Sequence, residues 1–190
     1  MKNLNMLLVG VGGQGTILAS KIIAEVAMLE GHDVKMSEIH GMAQRGGSVV
    51  TQVRMGEKVY SPLIEEGEAD FIVAFEMLEA WRWSHYLTAG GTMVINEQRI
   101  EPMSVLTGQR GYPAEIIETL TERSAKMYTL DALALAREVG NLRATNTVLL
   151  GALARRMDIP LETWQKAMRN TVPERFLELN LRAFAAGYER

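Results

Sequence analysis

A polar stretch at residues 37–48, SEIHGMAQRGGS, holds the side chains of this sequence that are best suited to chemistry. Arg45 carries a permanent positive charge, and its guanidinium can hold a carboxylate or a phosphate through two hydrogen bonds. His40 can donate, accept or carry a proton near neutral pH. The other members that can contact a ligand are Glu38, Gln44, Gly46, Gly47 and Ser48. The stretch predicts a loop that binds an anionic ligand, although a surface turn with a Glu38–Arg45 ion pair explains it equally.

A second glycine-rich stretch, GVGGQG at residues 10–15, fits the G-x-G-x-x-G pattern of dinucleotide-binding loops. It follows a strand-like run and precedes a helical pattern, the context in which such a loop holds a phosphate at a helix N-terminus. Glu38 lies near the end of the next predicted strand, where dinucleotide-binding enzymes keep an acid for the ribose. The candidate binding residues here are Gly10, Gly12, Gly13, Gln14 and Gly15.

Three features of the sequence weaken an NAD interpretation. The loop has an added Gly13 and a polar Gln14 at its turn, and 190 residues is short for a dehydrogenase with a substrate domain. An antiparallel hairpin predicted at 48–60 also breaks the βαβαβ order of that fold. A tight strand-to-helix turn that needs glycine for its backbone angles explains the same motif. The loop is therefore interpreted as a dinucleotide site, a contact with another anionic ligand, or a structural turn.

The hydrophobic pattern predicts that strands and helices alternate along most of the chain. Predicted strands cover residues 4–9, 34–39, 48–54, 70–75, 92–95 and 127–130, with 59–60 returning antiparallel to 48–54. Predicted helices cover residues 16–29, 76–88, 113–123, 131–139, 145–156, 161–169 and 173–186. This order predicts a three-layer α/β/α sandwich with a mixed, mostly parallel sheet and a helical C-terminal third. No repeat or linker divides the chain, so we expect a single domain over residues 1–190.

The remaining polar and aromatic residues predict no catalytic set and no metal site. None of the three histidines has a partner at a ligand spacing, and no Ser, His and Asp set occurs at short range. Glu76 and Glu79 open a predicted helix, where the helix dipole favours a carboxylate, so we expect capping. Trp81 and Trp83 lie on roughly opposite sides of that helix, which fits an interface or core packing equally.

Composition limits the class of protein. A net charge of −3 offers no basic surface for a nucleic acid. The chain has no cysteine, so it cannot form a disulfide or hold zinc or an iron–sulfur cluster through thiolates. Its apolar runs are shorter than a membrane span, and its first residues lack the layout of a signal peptide. We expect a cytoplasmic protein without nucleic-acid or membrane partners.

Both loops belong to a longer pattern that resembles one family. The strings LLVGVGGQGTILASKIIAEVA, SEIHGMAQRGGSVVTQVRMG, YSPLI, ATNTVLLGAL and TVPERFLELNLRAFAAGYE resemble the gamma-type domain of 2-oxoacid:ferredoxin oxidoreductases along the whole chain. HGMAQRGGSV is the most specific string, and it resembles the indolepyruvate branch more than the pyruvate or 2-oxoglutarate branches. The glycine motif is much less specific.

This resemblance implies a reaction that is shared between subunits. An arylpyruvate is decarboxylated on thiamine diphosphate, electrons pass through iron–sulfur clusters to ferredoxin, and the acyl group is transferred to coenzyme A. The gamma-type domain is implied to be an α/β/α sandwich that binds no redox cofactor. This chain also lacks a Gly-Asp-Gly segment followed by paired asparagines, the usual signature for magnesium and thiamine diphosphate. The resemblance therefore implies that these cofactors belong to a large partner subunit and that this chain is inactive alone.

From the placement of the two loops we expect residues 12–15 and 40–47 to lie on one rim of the sheet. That rim would face the active site of the large subunit or the path of coenzyme A. Three alternatives stay open: a gamma subunit for another 2-oxoacid, a free-standing NAD-binding protein, and a non-enzymatic interaction module.

Overall fold

The computed structural model describes residues 3–41, 46–123 and 126–190. The strands in these ranges are β1 (Leu4–Val11), β2 (Asp33–His40), β3 (Ser48–Gly56), β4 (Ala69–Ala74), β5 (Leu87–Asn96) and β6 (Met127–Leu130). The helices are α1 (Thr16–Leu29), α2 (Met77–Trp83), α3 (Met103–Leu106), α4 (Ile116–Arg123), α5 (Ala132–Val139), α6 (Thr145–Ala154), α7 (Leu161–Thr171) and α8 (Glu174–Tyr188). The described strands form one sheet in the order β2-β3-β1-β4-β5-β6.

The sheet is mixed and mostly parallel, as the sequence predicts. Strands β1, β4, β5 and β6 run parallel, whereas β3 runs antiparallel to both of its neighbours, β1 and β2. The predicted hairpin at 48–60 is wrong, because the antiparallel partners of β3 come from earlier in the chain. Residues 57–60 leave the sheet, and the Val59 N–H donates to the Asp33 carboxylate at 2.9 Å. Val59 is buried, whereas Glu57, Lys58 and Tyr60 are exposed, so the segment is attached through Val59 and does not pair with β3.

The helix predicted at 76–88 is also longer than the observed one. Helix α2 ends at Trp83, a 3₁₀ turn covers Ser84–Tyr86, and β5 begins at Leu87. The two glycines at 90–91 lie inside this strand, where its pairing with β4 shifts register. A bulge explains their presence, because glycine commonly marks an irregular position in a strand.

Helices cover both faces of the sheet. In β1, Met6 and Leu8 belong to the apolar cluster with α1 and the C-terminal helices, whereas Leu7 and Val9 belong to the cluster with α2 and α4. Alternate residues of one strand thus enter two cores, which confirms the three-layer α/β/α sandwich. In the part of the chain that the structure describes, no helix combines the length and apolar character needed to cross a bilayer.

Helices α6 and α8 cross with their backbones in contact. A Cβ atom on Gly151 would meet the carbonyl oxygen of Phe184, and one on Gly187 would meet that of Val148. Residues 146–154 of α6 are buried all round, because α8 covers their outer side. The two glycines are therefore required by the spacing of the helices.

Helix α7 packs on α1 and so joins the two ends of the chain. The Thr163 hydroxyl donates to the Glu30 carboxylate at 2.6 Å, and the Asn170 amide donates to Glu25 at 2.7 Å. Trp164 of α7 is fully buried in the core that also contains the inner side of α1. Helix α1, near the start of the chain, is thus covered by α7, near its end.

Candidate functional site

The two glycine-containing loops meet at one edge of the sheet. Because β1 and β2 are both antiparallel to β3, their carboxyl ends lie at the same edge. The Gly12 N–H donates to the Gly47 carbonyl oxygen at 2.9 Å, and the Gly41 N–H donates to the Ser48 carbonyl oxygen at 3.3 Å. Gln44 and Arg45 lie outside the described residues, so their place in a site stays a prediction.

Gln14 closes the glycine loop from within. Its Oε1 accepts from the Val11 N–H at 2.7 Å. Its Nε2 donates to the Phe75 carbonyl oxygen and to Gln98 Oε1, both at 3.0 Å. The fully buried Asn96 donates to the same two acceptors, at 3.1 and 3.2 Å. These bonds join the carboxyl ends of β1, β4 and β5, so we interpret Gln14 as holding the loop together.

Steric constraints account for three glycines of this loop. A Cβ on Gly10 would lie 2.8 Å from Gln14 Oε1. Gly15 has φ 84°, and its Cβ would lie 2.7 Å from Asn146 Nδ2, which donates to the Gly15 carbonyl oxygen. Gly13 has φ 100° and is exposed, with no atom within 4 Å of its Cβ position. Gly13 is therefore needed for its backbone angle and leaves open space beside the loop.

Glu38 and His40 lie on the exposed edge strand β2. The Thr51 hydroxyl contacts Glu38 at 3.3 Å, and His40 Nδ1 lies 3.2 Å from the Gly41 carbonyl oxygen. Strand β3 separates β2 from β1, so Glu38 is two strands, or about 10 Å, from the strand that carries the glycine loop. In dinucleotide-binding folds the acid-bearing second strand lies beside the first. This strand order disfavours an NAD site.

A cleft of about 420 Å³ opens between the glycine loop and the connection from α5 to α6. The N-terminus of α1 faces it: Gly15 caps the helix without a side-chain acceptor, and the first turn contains no acidic residue. Arg143 lines the same cleft, is exposed, and forms no ion pair with any residue that the structure describes. An uncapped helix N-terminus beside a guanidinium favours a carboxylate or phosphate. Sequence reasoning missed Arg143, because no local motif connects it with the glycine loop.

Glu76 is a buried carboxylate at the start of α2, beside this edge. Its Oε2 accepts from the Glu79 N–H at 3.0 Å, so it caps the helix as the sequence predicts. Its Oε1 accepts from the Ile100 N–H at 3.0 Å and from the Tyr112 hydroxyl at 2.6 Å. Burial, together with the Glu76 carboxylate, raises the pKa of the Tyr112 hydroxyl, which therefore remains a donor. One carboxylate thus fixes both ends of the segment between Ile100 and Tyr112.

The two tryptophans of α2 have different surroundings. Trp81 is 41% exposed. Trp83 contacts Tyr86 with the two rings tilted by 48° and their centroids 5.1 Å apart, and it packs against the apolar cluster under α2. Trp83 is therefore a packing residue, and Trp81 is available at the surface.

Comparison with known proteins identifies the family of this chain. The sequence model of the pyruvate ferredoxin/flavodoxin oxidoreductase family matches residues 5–190. The chain is 42% identical over 190 residues to indolepyruvate oxidoreductase subunit IorB of Methanothermobacter thermautotrophicus, covering 98% of this chain and 96% of that protein. It is 28% identical over 184 residues to the common gamma subunit of the pyruvate/ketoisovalerate oxidoreductases of Thermococcus litoralis, covering 95% of this chain and 93% of that one.

Solved structures agree with the sequence comparison. The crystal structure of the gamma subunit of a keto/oxoacid ferredoxin oxidoreductase from Geobacter sulfurreducens superposes with a TM-score of 0.73. It is 27% identical, and the match covers 98% of this chain and 96% of that one. This chain therefore belongs to the pyruvate ferredoxin/flavodoxin oxidoreductase family, in which its fold is that of a gamma subunit.

Proposed function

We propose that this chain is the non-cofactor subunit of an enzyme that oxidatively decarboxylates arylpyruvates, with indolepyruvate as substrate, and forms the acyl-coenzyme A. The observation that carries this proposal is the identity of 42% to a subunit of an indolepyruvate oxidoreductase, against 28% to a subunit that serves pyruvate and ketoisovalerate. The string HGMAQRGGSV favours the same branch. A subunit for another 2-oxoacid is the alternative that the same fold supports.

The residues of this chain do not fit the redox cofactors of such a reaction. The sequence has no cysteine to supply thiolates for an iron–sulfur cluster. Within the described ranges, no group of three or more Asp, Glu and His side chains is placed to hold a metal ion. We therefore assign thiamine diphosphate, magnesium, the clusters and the contact with ferredoxin to a large partner subunit. We propose that the assembled enzyme is cytoplasmic. In this proposal the isolated chain is inactive.

The edge at the N-terminus of α1 is the part of the chain that we assign to the ligands. Coenzyme A carries phosphates and a 2-oxoacid carries a carboxylate, and both suit uncapped helix N–H groups and a guanidinium. Arg143 supplies that guanidinium within the cleft, and Arg45 follows from the sequence as a second cation. In the assembled enzyme this rim would face the active site of the large subunit or the path of coenzyme A.

The proposal is tested by recovering the chain with its partners. We expect a tagged chain, pulled down anaerobically from its native cytoplasm, to bring with it a large cysteine-rich subunit in a brown complex. Mass spectrometry identifies the partner, and a visible spectrum detects its clusters. The complex should reduce ferredoxin with indolepyruvate and coenzyme A, and the separated chain should not. Recovery of the chain alone and colourless, from cells that express such a partner, would overturn the proposal.

Replacing the cations of the edge should weaken ligand binding without disrupting assembly. We expect Arg45→Ala and Arg143→Ala each to raise the KM for coenzyme A or for the arylpyruvate about 10- to 100-fold, since each removes a charge-assisted hydrogen bond. Steady-state kinetics of the purified complex measures both constants. Arg137→Ala is the matched control, because Arg137 is an exposed arginine on α5 outside the cleft. Unchanged KM and kcat values in both variants would show that this edge does not bind coenzyme A or the arylpyruvate.

A further inference from the structure

Glu79 is a second buried carboxylate of α2, and capping does not explain it. The residue is 2% exposed, and Glu76 already supplies the N-cap of the helix. Its Oε1 accepts from Arg82 Nη1 at 2.7 Å, and its Oε2 accepts from the Ser48 hydroxyl at 2.5 Å. Both oxygens of this buried carboxylate accept hydrogen bonds, which offsets the cost of removing the charge from water. The contact with Ser48 joins Glu79 of α2 to the first residue of β3.

Ser48 is the second of two consecutive residues that are tied to different elements. Gly47 accepts the Gly12 N–H of the glycine loop, and Ser48 donates to Glu79 of α2. The Ser48 carbonyl oxygen also accepts the Gly41 N–H, which closes the start of the β2–β3 connection against its end. The Glu79 carboxylate therefore adds a side-chain bond from α2 at the point where the ladder of β1 and β3 ends with the pair Val11 and Ser48.

We propose that Glu79, acting through Ser48, is a positioning residue for the ligand-binding edge of this chain. It holds residues 46–48 beside the glycine loop and so sets the distance between the two loops that carry the predicted ligand contacts. This inference rests on the proposed function and deepens it, because it assigns a role to α2 in the affinity for ligands.

The chain itself offers variants that separate positioning from general stability. Ser48→Ala removes the bond to Oε2, Ser48→Thr keeps a hydroxyl, and Arg82→Ala removes only the partner of Oε1. Glu79→Gln keeps the shape of the side chain but replaces one acceptor oxygen by a donor amide. Arg82→Ala is the matched control on the same carboxylate, because the Arg82 side chain is 41% exposed and water can take its place at Oε1.

The first measurement is hydrogen exchange on the isolated chain, which needs no partner and no activity. We expect Ser48→Ala and Glu79→Gln to speed exchange about tenfold in peptides that contain the hydrogen-bonded N–H groups of Gly12 and Gly41. Ser48→Thr and Arg82→Ala should stay within about twofold of wild type at the same peptides. An increase spread evenly over the chain, or an equal effect of Arg82→Ala at this edge, would overturn the positioning role.

The second measurement is steady-state kinetics of the assembled complex. We expect Ser48→Ala and Glu79→Gln to raise the KM for coenzyme A or the arylpyruvate about tenfold, with kcat changed less and with Ser48→Thr close to wild type. A complex in which exchange at the edge is faster but both KM values are unchanged would overturn the inference. If the wild-type complex oxidises no 2-oxoacid, the proposed function fails, whereas hydrogen exchange still decides whether Glu79 positions this edge.

Discussion

Gly187→Ala should lower the free energy of unfolding by about 3 kcal/mol, and Gly151→Ala by a similar amount. Alanine is the better helix former by about 1 kcal/mol, so a helix considered by itself would gain from either change. In the folded chain, the added Cβ would meet a backbone carbonyl oxygen of the facing helix. A backbone atom cannot rotate away as a side chain can, so α6 and α8 must move apart. The bond from Thr147 to Asn180, 2.6 Å long, resists that movement.

Urea denaturation of the isolated chain measures this effect. Gly111→Ala is the matched control, because Gly111 has no atom within 4 Å of its Cβ position and no positive φ. The control should change stability by no more than about 0.5 kcal/mol. A Gly187→Ala variant as stable as wild type would mean that the two helices do not approach as closely as described.

Glu76→Ala should lower the free energy of unfolding by about 3–5 kcal/mol. Three donors lose their acceptor at once, namely the Glu79 N–H, the Ile100 N–H and the Tyr112 hydroxyl. Each buried unpaired polar group costs about 1–3 kcal/mol, although such costs do not add fully. Glu76→Gln keeps one acceptor oxygen and should fall between alanine and wild type. The loss should be accompanied by faster proteolysis between Ile100 and Tyr112, because that carboxylate holds both ends of the segment.

A double-mutant cycle identifies the source of the loss. Glu76→Ala should cost less in a Tyr112→Phe background, where no hydroxyl is left unpaired. Glu118→Ala is the control, since Glu118 is an exposed carboxylate in the first turn of α4. Additive effects of the Glu76 and Tyr112 changes would show that the 2.6 Å bond contributes little to stability.

Elements with strong local signals were predictable from the sequence. The bounds of α1 and β6 coincide with the predicted ones. Their signals, a helical period followed by Gly31 and a short apolar run, are contained in the local sequence. The predictions are wrong where contacts between residues distant in sequence determine the local structure. Residues 59–60 are predicted to pair with β3, but Val59 is hydrogen-bonded to Asp33. The glycines at 90–91 are predicted to end a helix, but they lie inside β5, where its pairing with β4 shifts register.

The candidate site was predictable only in part, for a similar reason. The glycine loop and the 37–48 stretch each carry a local pattern, and the carboxyl ends of neighbouring strands bring them together. Arg143 and Glu79 reach the same edge from elsewhere in the chain, and the partner of Glu79 depends on how α2 packs. The sequence predicts Gln14 as a ligand contact; in the structure Gln14 lines the cleft, and its amide is bonded to Phe75 and Gln98. Such contacts follow from strand order, which local patterns do not contain.

The packing of α7 on α1 bears on how the chain folds during synthesis. The two bonds that join these helices connect residues 133 and 145 positions apart. At about 5–20 residues per second, the ribosome needs about 7–30 s to make the residues between them. Throughout that interval α1 has emerged without the helix that covers it, and the inner core is incomplete. The nascent chain therefore presents an uncovered apolar helix to chaperones, and folding can finish only when the C-terminal helices have left the ribosome.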